Sequence, residues 1–583
     1  MLPPQAFSNP ISDSPEDMLR SWLLLSSQSP SINVQKRFRE DNTLVRFYEK
    51  HDFKLIWFDS EGITPQGKAL LKILANAARE GLNPTQYQVS QLKPIIQNLI
   101  WQNDEDASAS LSQIIRLDIA FTQSFLKYAS DLQHGRRYPK QFTVADRTEI
   151  TFSPEITAMR LKRALHQGDL KALFAELTPR HAEYDYLRRY LDRYETIRQL
   201  GGWQQIPGGP SLKIGIRSPR VPILSRHLLI TGDLPFSQFS TQDHFAEPLE
   251  KAVRKYQHRN GLKMDGIVGK ATLDCLNISV EQRIAQIKLN MERWRWLPPD
   301  LEPRRLMVNI PGFELKIIRN HLPQETMRVI VGRKKRQTPL LSSTMTYLEF
   351  NPFWNVPSTI ARKDILPKIQ IDPDYLVKNS IRVLTGWKNN SVMLDPYDID
   401  WQKFSKKYLP YRFRQDPSPH NALGQVKFMF PNHHSIYIHD TPAKSLFKNE
   451  IRSFSSGCIR VEDPLRLAHL LLENQQWDLQ RINNAIDTQK RRVIVMKEPI
   501  PVHLVYFTAW ADGGDGTLNF RQDIYGRDQR LLAALNHRAP QRLWCAVDHQ
   551  LSGNLPHTDG RARCTVLPGT QAVHSPAREQ KKI

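Results

Sequence analysis

Two stretches, Ile436-Tyr-Ile-His-Asp-Thr-Pro442 and Arg452-Ser-Phe-Ser-Ser-Gly-Cys-Ile-Arg-Val461, decide how this sequence is interpreted. In the first stretch, His439 ends a short apolar pattern that predicts a strand. In the second, nineteen residues later, Cys458 directly follows Gly457. The sequence therefore places an imidazole and a thiol near each other, beside a glycine that permits an unusual turn.

These residue types match the needs of nucleophilic acyl transfer. That chemistry requires a thiolate, a base within hydrogen-bond reach and backbone N–H groups aimed at the developing oxyanion. Cys458 supplies the thiol and His439 the base, and the turn at Ser456 and Gly457 can aim its amides at a substrate. Arg460 adds a positive charge that favours the thiolate or holds a substrate carboxylate.

A metal site is the other interpretation of this region. His433, His434, His439 and Cys458 are possible ligands, but their spacing fits no closed zinc pattern. The sequence contains no Cys-x-x-Cys and no His-Glu-x-x-His motif. We therefore expect no metal.

The two stretches resemble the active-site signature of the L,D-transpeptidases (YkuD domain), and most of all the large YcbB-type enzymes of Gram-negative periplasms. The resemblance spans roughly residues 35 to 529. Many members carry a second histidine directly before the Gly-Cys pair, where this chain has Ser456. The resemblance therefore implies that His439 is the catalytic imidazole.

The resemblance also implies the reaction. In the family, the cysteine attacks a peptidoglycan stem tetrapeptide, releases D-alanine and passes the acyl group to a diaminopimelate amine, which makes a 3→3 cross-link. The implied site residues are Cys458 as nucleophile, His439 as base and acid, Gly457 as oxyanion-hole backbone, and Arg460, Tyr437 and Ser456 as substrate-binding residues. No cofactor is implied, and the expected partners are stem peptides and glycan, with acylation by carbapenems.

Two alternatives stay open from sequence. Water could resolve the same acyl-enzyme, which would make the chain an L,D-carboxypeptidase, or the chain could be a non-catalytic peptidoglycan-binding protein. The group that orients His439 is also open. Neighbouring strand residues point to opposite faces, so Asp440 should not reach the ring, and we expect a backbone carbonyl in this role.

The strongly basic composition favours anionic binding partners but does not identify which one. The 583 residues carry a formal net charge of +22, which suits nucleic acid, phospholipid headgroups or an anionic cell-wall polymer. The basic clusters Arg333-Lys-Lys-Arg336 and Gln489-Lys-Arg-Arg492 are short and no nucleic-acid-binding signature accompanies them, so we expect no nucleic-acid partner. Four cysteines, at 275, 458, 545 and 564, form no disulfide framework.

The sequence shows no apolar run long enough to span a membrane. The apolar run Trp22-Leu-Leu-Leu25 is short and follows acidic residues, so no export signal is visible. The periplasmic localisation that we expect therefore rests on the resemblance.

A second resemblance lies upstream. Leu249, Ala252, Val253 and Tyr256 share one helical face, which predicts a helix ended by Gly261. From Gln257 to Gly269 the chain matches the pattern Gln-x-x-x-Gly-Leu-x-x-Asp-Gly-x-x-Gly of the peptidoglycan-binding type 1 module.

Length predicts two to four domains, and the patterns predict a multidomain α+β chain. We expect a flexible leader (1–33), a helical scaffold domain (34–200), a linker (201–244), a small helical peptidoglycan-binding-like module (245–280), a mainly-β YkuD-type catalytic domain (281–529) with an inserted capping subdomain (358–415), and a disordered or non-homologous tail (530–583). The insertion is expected to cover Cys458 and to contact substrate through aromatic and basic side chains.

Overall fold

The computed structural model describes residues 14–28, 43–59, 61–99, 107–136, 143–144, 153–386 and 391–536. Most of the expected tail, with Cys545 and Cys564, lies outside these residues. Within the described residues, no helix combines the length and the apolar character needed to cross a membrane.

The α-helices are Pro15–Gln28, Thr43–Glu49, Pro65–Ala75, Val89–Leu99, Ala107–His134, Pro154–Gln167, Leu170–Leu177, Ala182–Gln199, Val221–Thr231, Glu247–Arg259, Lys270–Leu276, Val280–Trp294, Ser358–Ile360, Leu366–Ile369, Tyr375–Lys378, Pro464–Leu472, Leu479–Asp487 and Arg527–Asn536. A π-helical turn, Ala361–Ile365, joins two of the short helices. The 3₁₀ turns are Ala77–Glu80, Pro84–Tyr87, Phe236–Gln238, Pro396–Asp398, Trp401–Lys403, Lys444–Lys448 and Glu473–Gln475.

The strands are Phe58–Asp59 (β1), Gly62–Ile63 (β2), Thr143–Val144 (β3), Arg305–Asn309 (β4), Glu314–Arg319 (β5), Leu322–Gly332 (β6), Leu341–Phe350 (β7), Trp354–Asn355 (β8), Ile381–Leu384 (β9), Met393–Leu394 (β10), Arg412–Gln415 (β11), Val426–Met429 (β12), Ile438–His439 (β13), Ser453–Ser455 (β14), Ile459–Val461 (β15), Arg492–Val505 (β16), Ala509–Ala511 (β17) and Leu518–Phe520 (β18). Helices dominate before residue 295 and strands after residue 304, so the chain is a multidomain α+β protein.

The N-terminal helices pack around a common apolar core. Helix Pro65–Ala75 begins where the Thr64 side chain accepts a hydrogen bond from the Gly67 amide, and it buries Leu70 and Leu74. The expected flexible leader differs in part from the structure, because helix Pro15–Gln28 buries Leu19 and Leu23 in the same core. The apolar side chains of this helix are buried by residues far away in the sequence. Local composition therefore does not predict that the segment is folded.

The small helical module is larger than expected. Helix Val221–Thr231 lies in the segment predicted to be a linker, yet Leu224 and Leu228 pack against Leu249 and Val253 of helix Glu247–Arg259. Since one short helical hairpin buries little apolar surface by itself, the additional helix completes the core of the module.

The signature residues of the module hold its loop together. The buried Gln257 side chain donates to the carbonyl oxygen of Ile267 at 2.9 Å and to Asp265 Oδ1 at 3.0 Å, and it accepts from the Gly266 amide at 2.9 Å. Gln257, Asp265 and Gly266 of the module's sequence pattern therefore stabilise the structure of this loop.

The C-terminal sheet closes into a ring. Eight strands follow the order β12-β13-β15-β6-β5-β4-β16-β7, and β12 also pairs with β7, while β3 and β14 attach to β7 and β6. Inward side chains of these strands and of helix Pro464–Leu472 form one apolar core. Strands β13 and β15, which belong to the two quoted stretches, are therefore flanked by β12 on one side and β6 on the other.

An inserted unit lies between β7 and β12. Its four-stranded sheet has the order β10-β9-β11-β8, and it has its own apolar core, which includes Ile365, Leu376, Val383 and Phe413. The small sheet begins at Trp354, a few residues before the expected boundary at 358.

Candidate active site

Strands β13 and β15 bring the two quoted stretches side by side. They pair in parallel, with Ile438 opposite Ile459 and His439 opposite Arg460. Both isoleucines are completely buried in the core of the ring. Because side chains alternate along a strand, the flanking residues point to the opposite face of the sheet, where Tyr437, His439, Cys458 and Arg460 meet.

Cys458 lies partly buried at the edge of the apolar core, with Sγ 3.9 Å from the carbonyl oxygen of Ser435. The Tyr437 side chain is the neighbour of this sulfur on the same sheet face. Burial raises the pKa of the Cys458 thiol, while Tyr437 and the positive charges of Lys427 and Arg460 act in the opposite direction. The thiol therefore lies in a site that already contains thiolate-stabilising groups.

His439 is buried and its tautomer is fixed. Nδ1 lies 2.5 Å from the carbonyl oxygen of Asp440, and since a carbonyl can only accept, Nδ1 carries the proton. Burial and the charge of Arg460 lower the pKa of His439 to about 3. The resting imidazole is therefore neutral, with Nε2 unprotonated and able to accept a proton.

The orienting group is the backbone carbonyl expected from the sequence. The Asp440 carboxylate points elsewhere, because Oδ2 accepts from the Gln425 amide at 2.8 Å and Oδ1 pairs with Lys444 at 2.7 Å. His439 and Cys458 are diagonal neighbours on one face of the paired strands, a relation within reach of aromatic side chains.

Gly457 adopts a conformation that favours glycine, with φ of +124°. Its amide donates to Ser455 Oγ at 3.1 Å, and its carbonyl oxygen accepts from Thr338 Oγ1 at 2.8 Å. The expectation that the Gly457 amide points at an oxyanion differs from this geometry, because the Ser455 hydroxyl occupies that N–H. Within the described part of the chain, the N–H of Cys458 itself has no acceptor.

Arg460 faces the thiol without an acidic partner. No carboxylate among the described residues forms an ion pair with it, and its buried Nε has no acceptor there. Burial lowers the pKa of Arg460, and the nearby Cys458 opposes that shift. The guanidinium is therefore free to take an anionic group of a bound molecule.

Ser456 meets the basic loop after β6, a contact that sequence reasoning did not find. Its Oγ accepts from Arg336 Nη1 at 2.9 Å, and Arg336 Nη2 donates to Asp364 Oδ1 of the inserted unit at 3.0 Å. The cluster Arg333–Arg336 was visible in the sequence, but only as a short basic run.

The inserted unit touches the site a second time through Trp354, whose side chain lies beside that of Tyr437. Lys427 on β12 was missed as well, although it lies directly opposite His439. The register between β12 and β13 places Lys427 opposite His439. The residues around Lys427 in the sequence do not predict that register.

Three segments of the chain match models of known domain families. Residues 42–191 match the model described as "Scaffold domain", residues 217–276 the model "Putative peptidoglycan binding domain", and residues 303–495 the "L,D-transpeptidase catalytic domain" of the YkuD family. A protein of Haemophilus influenzae named "Putative L,D-transpeptidase" is 37% identical over 260 residues, which are 44% of this chain. The chain spans about half of that relative's length, 51%.

A comparison with solved structures matches the chain to two L,D-transpeptidases. The L,D-transpeptidase of Xylanimonas cellulosilytica is 13% identical, with 51% of this chain and 98% of that chain covered and a TM-score of 0.15. That of Stackebrandtia nassauensis is 12% identical, with 52% and 96% covered and a TM-score of 0.21. Such scores establish no shared arrangement, so the assignment rests on the family models and the Haemophilus relative. Residues 303–495 belong to the L,D-transpeptidase catalytic domain family, in a chain that also carries a scaffold domain and a peptidoglycan-binding type 1 domain.

Proposed function

We propose that the chain is an L,D-transpeptidase of cell-wall biogenesis that forms a thioester between Cys458 and a peptidoglycan stem tetrapeptide. The observation that carries this proposal is that a partly exposed thiol and a neutral imidazole lie on one face of the same pair of strands. Nδ1 of that imidazole is fixed by the Asp440 carbonyl, which leaves Nε2 as the base.

In the first step, Cys458 Sγ attacks the carbonyl of the third stem residue while its proton passes to Nε2 of His439. Since burial raises the thiol pKa and the imidazole is neutral, proton transfer accompanies the attack. The C–N bond to the terminal D-alanine then breaks, and the imidazolium gives its proton to the leaving amine. The backbone N–H of Cys458 is the proposed oxyanion donor.

In the second step, the side-chain amine of diaminopimelate on a neighbouring stem attacks the thioester and regenerates the thiol. The product is a 3→3 cross-link. Arg460 is proposed to hold a stem carboxylate, while Tyr437 and Ser456 line the pocket. The inserted unit, which contacts Ser456 through Arg336, is proposed to cover the thioester and exclude water.

We propose that the protein acts in the periplasm of a Gram-negative bacterium, with stem peptides and glycan as its partners. The reaction needs no cofactor, and carbapenems are expected to acylate Cys458. The peptidoglycan-binding domain supports a wall substrate, because it is joined to the same chain.

Product analysis tests the proposal. Purified protein is incubated with disaccharide-tetrapeptide, and the products are separated and identified by mass spectrometry. We expect free D-alanine and a 3→3 cross-linked dimer, and neither from Cys458→Ala. D-alanine with tripeptide but no dimer would indicate an L,D-carboxypeptidase, and no turnover by a protein that still pellets with sacculi would indicate a binding protein.

A further inference from the structure

A row of charged and titratable side chains crosses four strands beside the nucleophile. Lys427 on β12 is opposite His439 on β13 and opposite Glu349 on β7, and His439 is opposite Arg460 on β15. Residues opposite each other in a sheet share a face, so the row runs Glu349, Lys427, His439, Arg460 along the face that carries the thiol.

The ammonium group of Lys427 lies against Tyr437. Nζ lies 4.5 Å from the centre of the Tyr437 ring and 3.8 Å from Glu349 Oε1. Tyr437 is the neighbour of Cys458 across the strand pair, since its carbonyl accepts from the Ile459 amide at 3.1 Å. One aromatic ring therefore links the Lys427 charge to the nucleophile.

The surroundings make this charge effective. The Lys427 side chain is only 15% exposed and that of Glu349 only 7%, so water screens their charges weakly. Glu349 also accepts from Arg491 Nε at 2.7 Å, which leaves part of the Lys427 charge uncompensated. Burial lowers the pKa of Lys427, and the charges of Glu349 and Cys458 oppose that shift.

We infer that Lys427 is a positioning residue for the reaction. Its ammonium, stacked on the Tyr437 ring, stabilises negative charge on Cys458 Sγ directly and by polarising the Tyr437 side chain that lies beside the sulfur. Glu349 limits this effect by partly neutralising the ammonium. The inference rests on the proposed function, in which Cys458 is the nucleophile.

The variants leave the other charged or titratable residues around Cys458 unchanged. They are Tyr437 just before β13, His439 on β13, Arg460 on β15, Arg333 and Arg336 of the loop after β6, Asp364 of the inserted unit and Arg491 beside Glu349. A change in thiol reactivity can therefore be assigned to the Lys427–Glu349 pair.

The test measures the rate at which iodoacetamide alkylates Cys458 between pH 6 and pH 10. Trypsin releases Cys458 in the peptide Ser453–Arg460, which separates its signal from the other cysteines. Lys427→Met is expected to slow alkylation at pH 7 about tenfold, and the conservative Lys427→Arg to stay within about threefold of the parent. Glu349→Gln is expected to accelerate alkylation about threefold.

Slower alkylation in Lys427→Met together with faster alkylation in Glu349→Gln would support the inference. Loosened packing would instead change the rate in the same direction in both variants. Superimposable pH profiles, or two shifts in one direction, would overturn it while the proposed function stands. A parent protein whose Cys458 is not alkylated at all would overturn the proposed function, and this inference with it.

Discussion

The His439 ring shows how burial and one hydrogen bond set the chemistry of a single residue. The Asp440 carbonyl fixes the proton on Nδ1, and the buried position beside Arg460 keeps the ring uncharged. Cys458 is also uncharged at rest, because burial raises its pKa. The pair therefore differs from a preformed thiolate–imidazolium ion pair, and in the proposed mechanism the proton moves when Sγ attacks.

This state of the pair predicts an unusual pH profile. The pKa of His439 is lowered to about 3, so the base stays unprotonated as the pH falls from 7 to 5. We expect the rate of Cys458 acylation to show no ionisation near pH 6.5, the ordinary value of histidine. Single-turnover acylation rates between pH 4.5 and pH 8 measure this, and an acid limb centred near 6.5 would show that the imidazole is solvated instead.

At the scale of elements, the turn before Cys458 is held by the loop that follows β6. Thr338 is completely buried, and its Oγ1 donates to the Gly457 carbonyl at 2.8 Å and accepts from the Gly332 amide at 2.9 Å. Tyr525, which lies beyond residues 303–495, donates to the carbonyl oxygen of Gly332 and accepts from the Thr338 amide at 3.3 Å. The C-terminal segment thus supports the catalytic turn.

Thr338→Val tests this support, because valine has nearly the shape of threonine but neither hydrogen bond. The loss should cost about 1–3 kcal/mol of stability and lower the acylation rate, since the Gly332 amide and the Gly457 carbonyl both lose a buried partner. Thr338→Ser keeps the hydroxyl and should retain the rate. Acylation rates and melting temperatures check both variants, and equal rates in the parent and the valine variant would show that the turn is rigid without Thr338.

At the scale of the whole molecule, helix Val280–Trp294 connects the N-terminal helices to the C-terminal hairpin. The buried Glu292 accepts from the Arg136 amide and pairs with Arg295 at 3.3 Å, and Arg295 donates to the Tyr184 hydroxyl at 2.7 Å. On the same helix, Gln286 donates to the carbonyl oxygen of Thr508 at 2.9 Å. Scaffold helices and the C-terminal hairpin β17–β18 are therefore anchored on one element.

Glu292→Ala tests this junction. It leaves the completely buried Arg295 charge without its carboxylate, which should cost about 3–5 kcal/mol and lower the melting temperature. Glu247→Ala is the matched control, since its ion pair with Lys251 is exposed and should contribute nothing measurable. A melting temperature equal to that of the control would mean that the Glu292–Arg295 ion pair contributes nothing to this junction.

Local sequence patterns were enough to propose Cys458 and His439 as candidate site residues and to predict the strand that ends at His439, because apolar alternation and a short motif each lie within a few residues. They could not find Lys427, whose place depends on the register between β12 and β13. They also could not show that Ser455 Oγ occupies the Gly457 amide. Helix Val221–Thr231 lies in the segment predicted to be a linker, because its place in the module core depends on tertiary packing.

The central claim is that Cys458 is an activated nucleophile that accepts an acyl group. Intact-protein mass spectrometry after incubation with a carbapenem tests it most directly, with Cys458→Ala as the control and the peptide Ser453–Arg460 as the place to find the adduct. The account predicts one drug adduct on the parent, located on this peptide, and none on the variant. A folded parent without an adduct, or an adduct that persists in Cys458→Ala, would contradict it.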